Sequence, residues 1–273
     1  MKEIIIRPKP KWQLVDFEEI WRYRELFYIF TWRDIKIRYR QTVLGIVYVV
    51  FQPVVNMIIF TVFFGNLAKI PSGNLPYALF VLIGLVFWNF FSGALARASD
   101  SMVSNESMIK KVYFPKIILP LSAIITFLFD FVINFLLLVI FAAVLGHLPS
   151  LWILVVLPLA ILVTGCTIAG VSFLLSSLNV KYRDVRNVLP FLIQVILFLT
   201  PIIYPLSIVS DRNKYIMALN PMTSVVETMR MVFQKNPVFN PILILISVFS
   251  ALFFLYLGLW YFQKTERYFA DIV

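Results

Sequence analysis

Long apolar runs separated by short polar segments dominate the pattern of this chain. Six runs reach the roughly 20 residues that a helix needs to cross a hydrocarbon core of about 30 Å. The sequence therefore predicts six membrane-spanning helices, the third of them long enough to tilt or to project beyond the bilayer. The predicted spans are 44–67, 77–96, 117–145, 151–178, 188–206 and 241–263.

An amphipathic segment, 16–34, precedes the first span. Asp16 followed three residues later by Glu19 is typical of a helix N-cap. We interpret this segment as a helix lying flat on the membrane surface, with its aromatic face at the lipid headgroups. The alternative is a helix packed against the protein's own end. The predicted apolar face consists of Phe17, Ile20, Trp21, Tyr23, Phe27, Tyr28, Phe30 and Trp32.

A second short amphipathic segment lies in the loop 207–240, between the last two spans. Asn220 and Pro221 suit the N-cap and the first turn of a helix. An apolar stripe follows, formed by Met222, Val226, Met229 and Phe233, with Glu227 and Arg230 off the stripe. Such a helix is too short to span. One interpretation is a re-entrant helix, which must be buried in protein or face a water-filled cavity. The other is a helix that lies on the outer leaflet.

The composition and the charge distribution give the orientation. The chain is 61% hydrophobic and only 14% charged, whereas soluble domains are about half apolar and a quarter charged. Nineteen of the 24 Lys and Arg residues lie in the two termini and the loops 97–116 and 179–187, and five lie on the other side. The positive-inside rule then puts both termini in the cytoplasm. The net charge of +10 is thus explained without nucleic acid.

Motifs for catalysis and metal binding are absent from the sequence. No P-loop, GxGxxG, HExxH or GxSxG pattern occurs. One cysteine, Cys166, and one histidine, His147, cannot build a disulfide framework, a zinc site or a histidine-based triad. We therefore expect no catalytic site and no cofactor or metal in this chain. A membrane-bound transferase is disfavoured because no carboxylate pair is present to hold a metal and a nucleotide sugar.

Asp130 is the one clear ionisable residue inside a predicted span. An intramembrane carboxylate costs several kcal/mol and is functional by default. It makes a proton-coupled carrier one alternative function, although it has no partner acid or base in the sequence pattern. Asn134 lies one turn away and could share a hydrogen bond with it.

Neutral polar and aromatic side chains recur on one face of two spans. Amides hydrogen-bond hydroxyl groups, and aromatic rings present flat faces to sugar C–H groups, so these faces suit a hydroxyl-rich substrate. Residues of this kind also join helices or form aromatic belts. The candidate pathway residues are Tyr48, Gln52 and Asn56 in the first span, and Phe191, Gln194 and Phe198 in the fifth.

Five segments, taken in their order along the chain, resemble the permease subunit of the ABC-2 type exporters for polysaccharides such as O-antigen, capsule and teichoic acid. The resemblance extends from about residue 32 to residue 263. One departure is visible: just after the Leu-Gly of the first span, Tyr48 stands where family members often carry Trp. The segments are RDIKIRYRQTVLG (33–45), NESMIKKVYFPKIILP (105–120), LNVKYRDVRN (178–187), TPIIYP (200–205) and LNPMTSVVETMR (219–230).

The resemblance implies an all-α integral membrane protein that works as a homodimer, with two copies of a separate ATPase holding ATP and Mg. It implies a permease in the bacterial inner membrane that moves a lipid-linked glycan through a channel. The chain then divides into a cytoplasmic segment, 1–40, a membrane domain, 41–263, and a cytoplasmic tail, 264–273. The segment 207–240 would form short external re-entrant helices. A drug, a simple lipid or another small hydrophobic molecule is the alternative cargo.

The same resemblance assigns the contacts with the ATPase. A coupling helix is expected at about 100–113 in the first inner loop, and the second inner loop is expected to add a further contact. The helix at 16–34 would pack beside the ATPase. The expected coupling residues are Asn105, Glu106, Met108, Lys110, Lys111, Tyr113, Phe114, Tyr182, Arg183 and Asp184.

Overall fold

The computed structural model describes residues 16–40, 43–182, 184–234 and 239–266. Within these residues the chain is helical and contains no strand, as the apolar pattern predicts. A π-helical turn extends α3 through Thr61–Leu67. The α-helices are α1 (Phe17–Arg22), α2 (Arg24–Arg40), α3 (Val43–Phe60), α4 (Tyr77–Ser104), α5 (Glu106–Ile109), α6 (Ile118–Val144), α7 (Ile153–Lys181), α8 (Val185–Leu199), α9 (Asp211–Ala218), α10 (Pro221–Val232) and α11 (Pro241–Glu266).

Five helices in the described part of the chain are long and apolar enough to cross a membrane: α3 with its π-helical turn, α4, α6, α7 and α11. The segment predicted as the fifth span differs. Its helix, α8, has 15 residues and is about 22 Å long, short of a core of about 30 Å. The helix ends at Thr200, which adopts an extended conformation because the residue before a proline disfavours the helical region.

The helix α4 is the centre of the bundle. It packs against α3, α6, α7, α8 and α10, and most of its apolar side chains are buried. It also continues to Ser104, beyond the predicted end at residue 96. Its 28 residues extend about 42 Å, so the polar end of α4 projects beyond the hydrocarbon core.

The helices α7 and α11 approach each other most closely at two glycines. A methyl group built on Gly258 would overlap the backbone of Gly170, and one built on Gly170 would overlap the backbone at Phe254. Membrane helices pack closely through small residues in this way, because no hydrophobic effect drives them together within lipid.

The short helix α10 is buried inside the protein rather than lying on the surface. The Asn220 side chain accepts a hydrogen bond from the Met222 N–H at 3.1 Å, which confirms the predicted cap. The four residues of the predicted apolar stripe are all buried. Since α10 packs against α4, α7 and α11, the burial favours the re-entrant interpretation over a helix on the outer leaflet.

Arg230 is also buried, although it lies off the apolar stripe of α10. It donates hydrogen bonds to the carbonyl oxygens of Pro201 at 2.6 Å, Ile202 at 2.7 Å and Phe80 at 3.2 Å. Glu227 lies 3.3 Å away and is its ion-pair partner. The Glu227 carboxylate and the three carbonyl oxygens together compensate the buried charge of the guanidinium. The sequence pattern placed this residue off the apolar stripe. In the structure it joins α10 to α4 and to the turn that follows α8.

Substitution of Gly258 by Ala should separate α7 from α11. The added methyl group overlaps Gly170 backbone atoms that cannot rotate away, and overpacking of this kind costs about 1–3 kcal/mol. We expect a melting temperature in detergent several degrees below that of the wild type. Gly165→Ala in the same α7 is the matched control, since a Cβ there meets no atom within 4 Å. Equal melting temperatures for the two variants would contradict this packing.

Candidate functional site

The first inner loop contains a much shorter helix than predicted. Residues up to Ser104 belong to α4, and the separate helix α5 is a single turn, Glu106–Ile109. Asn105 occupies the junction, and its side chain does not cap α5. The expected coupling helix at 100–113 is therefore the end of α4, one turn of α5 and a non-helical stretch that leads to Pro115.

Part of this loop forms an exposed surface of basic, apolar and aromatic side chains. Lys111, Val112 and Tyr113 are exposed, whereas the Lys110 ammonium is held by Glu106 at 2.8 Å. The Tyr113 hydroxyl donates a hydrogen bond to Glu19 of α1 at 3.0 Å. The first inner loop and the N-terminal helices therefore form one continuous surface.

Three predicted coupling residues pack against the protein itself instead. Phe114 is only 3% exposed, and its ring lies 5.7 Å from the ring of Phe30 in α2, so it cannot fill a groove of a partner. The Asn105 amide donates to the Ser101 carbonyl at 2.7 Å and accepts from Arg33 at 3.2 Å. Met108 is half-buried against the core. These three residues dock the inner loop and α2 onto α4.

The N-terminal segment forms two helices rather than one. The Glu19 N–H donates to the Asp16 carboxylate at 2.9 Å, which confirms the predicted cap, and the helix is interrupted at Tyr23. The predicted aromatic face is divided. Phe30 packs into the core, while Tyr28 and Trp32 stack on each other and stay exposed. The helix α2 thus combines both interpretations: it packs on the protein and presents aromatic side chains outward.

The second inner loop lies next to the end of α4. Tyr182 and Asp184 are exposed, as a contact surface requires, and the Lys181 ammonium lies 5.2 Å from the centre of the Tyr182 ring. Arg183 lies outside the described residues. Arg186 reaches Asp100 of α4 at 3.6 Å. The two loops therefore meet at the Ser104 end of α4.

Asp130 is not isolated, contrary to the sequence interpretation. Its carboxylate lies 2.7 Å from the Arg38 guanidinium and accepts a hydrogen bond from the Tyr39 hydroxyl. Arg38 also lies over the ring of Phe127 at 4.3 Å. The predicted hydrogen bond to Asn134 does not form, and the Asn134 carbonyl oxygen is buried without a partner in the described part of the structure. Arg38 precedes Asp130 by 92 residues. No local sequence pattern could therefore predict that the two side chains form an ion pair.

The ion pair borders a small polar cavity of about 90 Å³ between α3, α4 and α6. Two predicted pathway residues, Tyr48 and Gln52, line it, whereas the half-buried Asn56 does not. Asn89 and Ser92 of α4 complete the polar lining, and sequence reasoning missed both. Their spacing of three residues within an apolar helix is the signal that could have found them.

The pathway residues predicted in the fifth span lie elsewhere. Phe191, Gln194 and Phe198 are exposed on α8, and α8 contributes no residue to the lining of the polar cavity. The structure therefore does not bring the two predicted sets together within one chain. Apart from the half-buried Asn56, both sets are exposed on faces that the described residues leave uncovered.

The residues described here form no cluster of three or more His, Cys, Asp or Glu side chains that could hold a metal ion. The ionisable groups at the inner end are instead basic side chains and their carboxylate partners. Such an arrangement can bind a protein surface or an anion.

Comparison with known proteins places this geometry in context. The family model described as ABC-2 type transporter matches residues 25–234. An O-antigen export system permease protein RfbA from Myxococcus xanthus is 28% identical over 234 residues, which cover 84% of this chain and 89% of that protein. A protein of the same name from Klebsiella pneumoniae is 28% identical, covering 91% and 95%. The polysialic acid transport protein KpsM of Escherichia coli is 21% identical, covering 86% and 91%.

Replacement of Asp130 by Asn should destabilise the docking of α2 on α6. It leaves Arg38, which is about a third exposed, without its charged partner, and loss of such a hydrogen-bonded charge costs about 1.5–3 kcal/mol. We expect a clear drop in unfolding free energy in detergent, and a smaller drop for Tyr39→Phe. Adding Arg38→Gln to Asp130→Asn should cost little more.

The exposed Asp184→Asn is the control for stability, because its carboxylate makes no ion pair in the described residues. Wild-type stability of Asp130→Asn together with complete loss of transport would contradict the structural role and support a proton-coupled carrier.

Proposed function

Because the chain belongs to the ABC-2 type transporter family, we propose that it is the permease subunit of an ATP-driven exporter of a lipid-linked, O-antigen-like polysaccharide. The observation that carries the proposal is the near full-length match to permeases of O-antigen export systems. A third relative, named for polysialic acid transport, supports a polysaccharide over a small hydrophobic cargo.

The ATP-hydrolysing step belongs to a partner in this proposal. Two copies of a separate ATPase bind ATP and Mg, and they contact the permease at its two inner loops. The exposed side chains of Lys111, Val112, Tyr113, Tyr182 and Asp184 support this contact. Aromatic and apolar side chains anchor small interfaces, and exposed charges set the orientation and rate of docking.

Two copies of the permease form the pathway. The faces that carry Tyr48 and Gln52 on α3, and Phe191 and Gln194 on α8, are exposed in the single protomer. A second copy placed against these faces would enclose a path lined by amides and aromatic rings. A long polymer requires a continuous channel, because no closed pocket can contain it.

The topology that we propose has six crossings and both termini in the cytoplasm of a bacterium. The helix α8 and the extended turn at 200–205 together form the fifth crossing, and α9 with α10 form the external re-entrant element. The burial of α10 and the satisfied carbonyl groups of the turn support this arrangement, since irregular backbone at membrane depth survives only when protein or water satisfies it.

The mechanism follows from the contacts of the inner loops. ATP binding closes the two ATPases and moves α5 together with the end of α4. The helix α2 moves with them, because Asn105 binds Arg33 and Phe114 packs on Phe30. Since Arg38 of α2 binds Asp130 beside the polar cavity, the same displacement reaches the lining of the pathway.

Purification of the full chain from its native membranes in mild detergent tests the proposal. We expect a P-loop ATPase in an equimolar amount, and deletion of either gene should leave the glycan on the cytoplasmic face. Export of a small lipid or drug with unchanged glycan export would favour the alternative cargo. An ATPase-free oligomer that still transports would contradict the proposal.

Charge reversal at Lys110 and Lys111 should weaken assembly with the ATPase while membrane insertion stays normal. Placing like charges across an interface costs several kcal/mol. We therefore expect the amount of co-purified ATPase to fall by a factor of about ten or more. The matched control is Arg212→Glu with Lys214→Glu on α9, where Lys214 pairs with Asp211 at 2.8 Å as Lys110 does with Glu106. Normal ATPase recovery with the inner double variant would contradict the coupling assignment.

A further inference from the structure

A second cavity lies at the cytoplasmic end of the bundle, between α4 and α8. Its volume is about 430 Å³, and it opens to the surface. Its walls are mainly apolar, with Phe127, Leu189 and Pro190 among them. Two basic residues, Arg97 of α4 and Arg186 of α8, also line it. None of the coupling and pathway residues predicted from the sequence belongs to this cavity.

The two guanidinium groups of the cavity are differently placed. Arg97 is exposed and forms no ion pair or hydrogen bond with any other described residue. Arg186 approaches Asp100 through its Nε atom at 3.6 Å, and its two terminal nitrogens form no hydrogen bond within the described ranges. Asp100 is fixed in turn by the Ser104 hydroxyl at 2.5 Å. Two cations facing one carboxylate leave the cavity with a net positive charge and with guanidinium edges free for a ligand.

The position of Arg97 along α4 places it at the edge of the membrane. From Tyr77, about 20 residues cross the hydrocarbon core, and Arg97 is the next residue. The phosphate groups of the cytoplasmic leaflet lie at this level. A ligand bound here would have its anionic group beside the two arginines and its apolar part along Phe127, Leu189 and the exposed face of α8.

We propose that this cavity binds the phosphate or diphosphate headgroup of the lipid that anchors the transported glycan. Arg97 and Arg186 bind the phosphate oxygens, for which the planar guanidinium fork is well suited. The Asp100 carboxylate lies 3.6 Å from the Arg186 Nε atom, so both terminal nitrogens of Arg186 remain available to a ligand. The identity of the lipid rests on the proposed function, whereas the anionic site rests on the two arginines and the apolar walls.

Binding of defined probes to the purified full chain tests the site. The probes are a short prenyl diphosphate, the prenyl alcohol of the same chain length and inorganic diphosphate, measured by native mass spectrometry in a nonionic detergent. We expect the prenyl diphosphate to bind at least about tenfold more tightly than either of the other two, since hydrogen bonds to charged groups are worth a factor of this size or more. Equal binding of the alcohol would overturn the anionic site, and equal binding of inorganic diphosphate would overturn the lipid assignment.

Variants locate the site within the chain. Arg97→Gln and Arg186→Gln should each weaken binding of the prenyl diphosphate about tenfold or more, and Arg97→Lys should restore part of it. Arg97 has no hydrogen-bond or ion-pair partner in the described residues, so its replacement breaks no polar contact there. The exposed Arg212→Gln on α9 is the control with the same charge change. Wild-type affinity in both Arg97→Gln and Arg186→Gln would overturn the assignment.

The test of this lipid site and the test of the proposed function can fail independently of each other. If the chain does not export a glycan but the site exists, lipid binding still depends on Arg97 and Arg186. If the chain exports a glycan and the site assignment is wrong, Arg97→Gln and Arg186→Gln bind the probe and export the glycan as the wild type does. In both variants ATPase co-purification should stay normal, which distinguishes a lipid site from a coupling contact.

Discussion

The break in the chain between α8 and α9 leaves backbone carbonyl groups without helical partners, and the outer half of the molecule is arranged to satisfy them. Arg230 donates to the carbonyls of Pro201 and Ile202, and the Tyr77 hydroxyl donates to that of Ile203 at 2.7 Å. In lipid, each unsatisfied group of this kind would cost several kcal/mol. The packing of α10 against α4 brings the Arg230 side chain to these carbonyl groups.

The helix α4 connects this outer junction with the inner surface. Its first turns contact Arg230 through the Phe80 carbonyl, its middle supplies Asn89 and Ser92 to the polar cavity, and its last turns carry Arg97 and Asp100. The helix α4 is largely buried and about 42 Å long, so a single packed element joins the three regions. The helices α3 and α8 are more exposed, and in the proposed dimer their exposed faces would contact the second copy.

Long-range pairing marks the limit of what the sequence could predict. The lengths of the apolar runs predicted five of the spanning helices correctly. The residue types around Asp16 and Asn220 predicted the two helix caps, because a cap depends on residues only a few positions apart. The Arg38–Asp130 pair and the burial of Phe114 depend on α2 docking against α6, which no local pattern encodes. The helical wheel failed for Arg230 for a related reason: it sorts side chains by polarity and cannot foresee a polar turn 28 residues earlier that needs a donor.

The ion pair between Arg38 and Asp130 bears on two questions: whether Asp130 carries protons, and how α2 is attached to the membrane helices. A carboxylate held by a guanidinium and a phenol is fixed in position, and a proton carrier needs a group that is free to exchange. The same bond fastens α2 to α6 next to Gln52 and Asn89, while Arg33 and Phe30, one to two turns earlier in α2, contact Asn105 and Phe114. Because both contacts lie on the same helix, a displacement of residues 105–114 would reach Asp130 through α2. The pair is therefore better explained as a connection between the proposed ATPase contact and the proposed pathway than as a site of proton transfer.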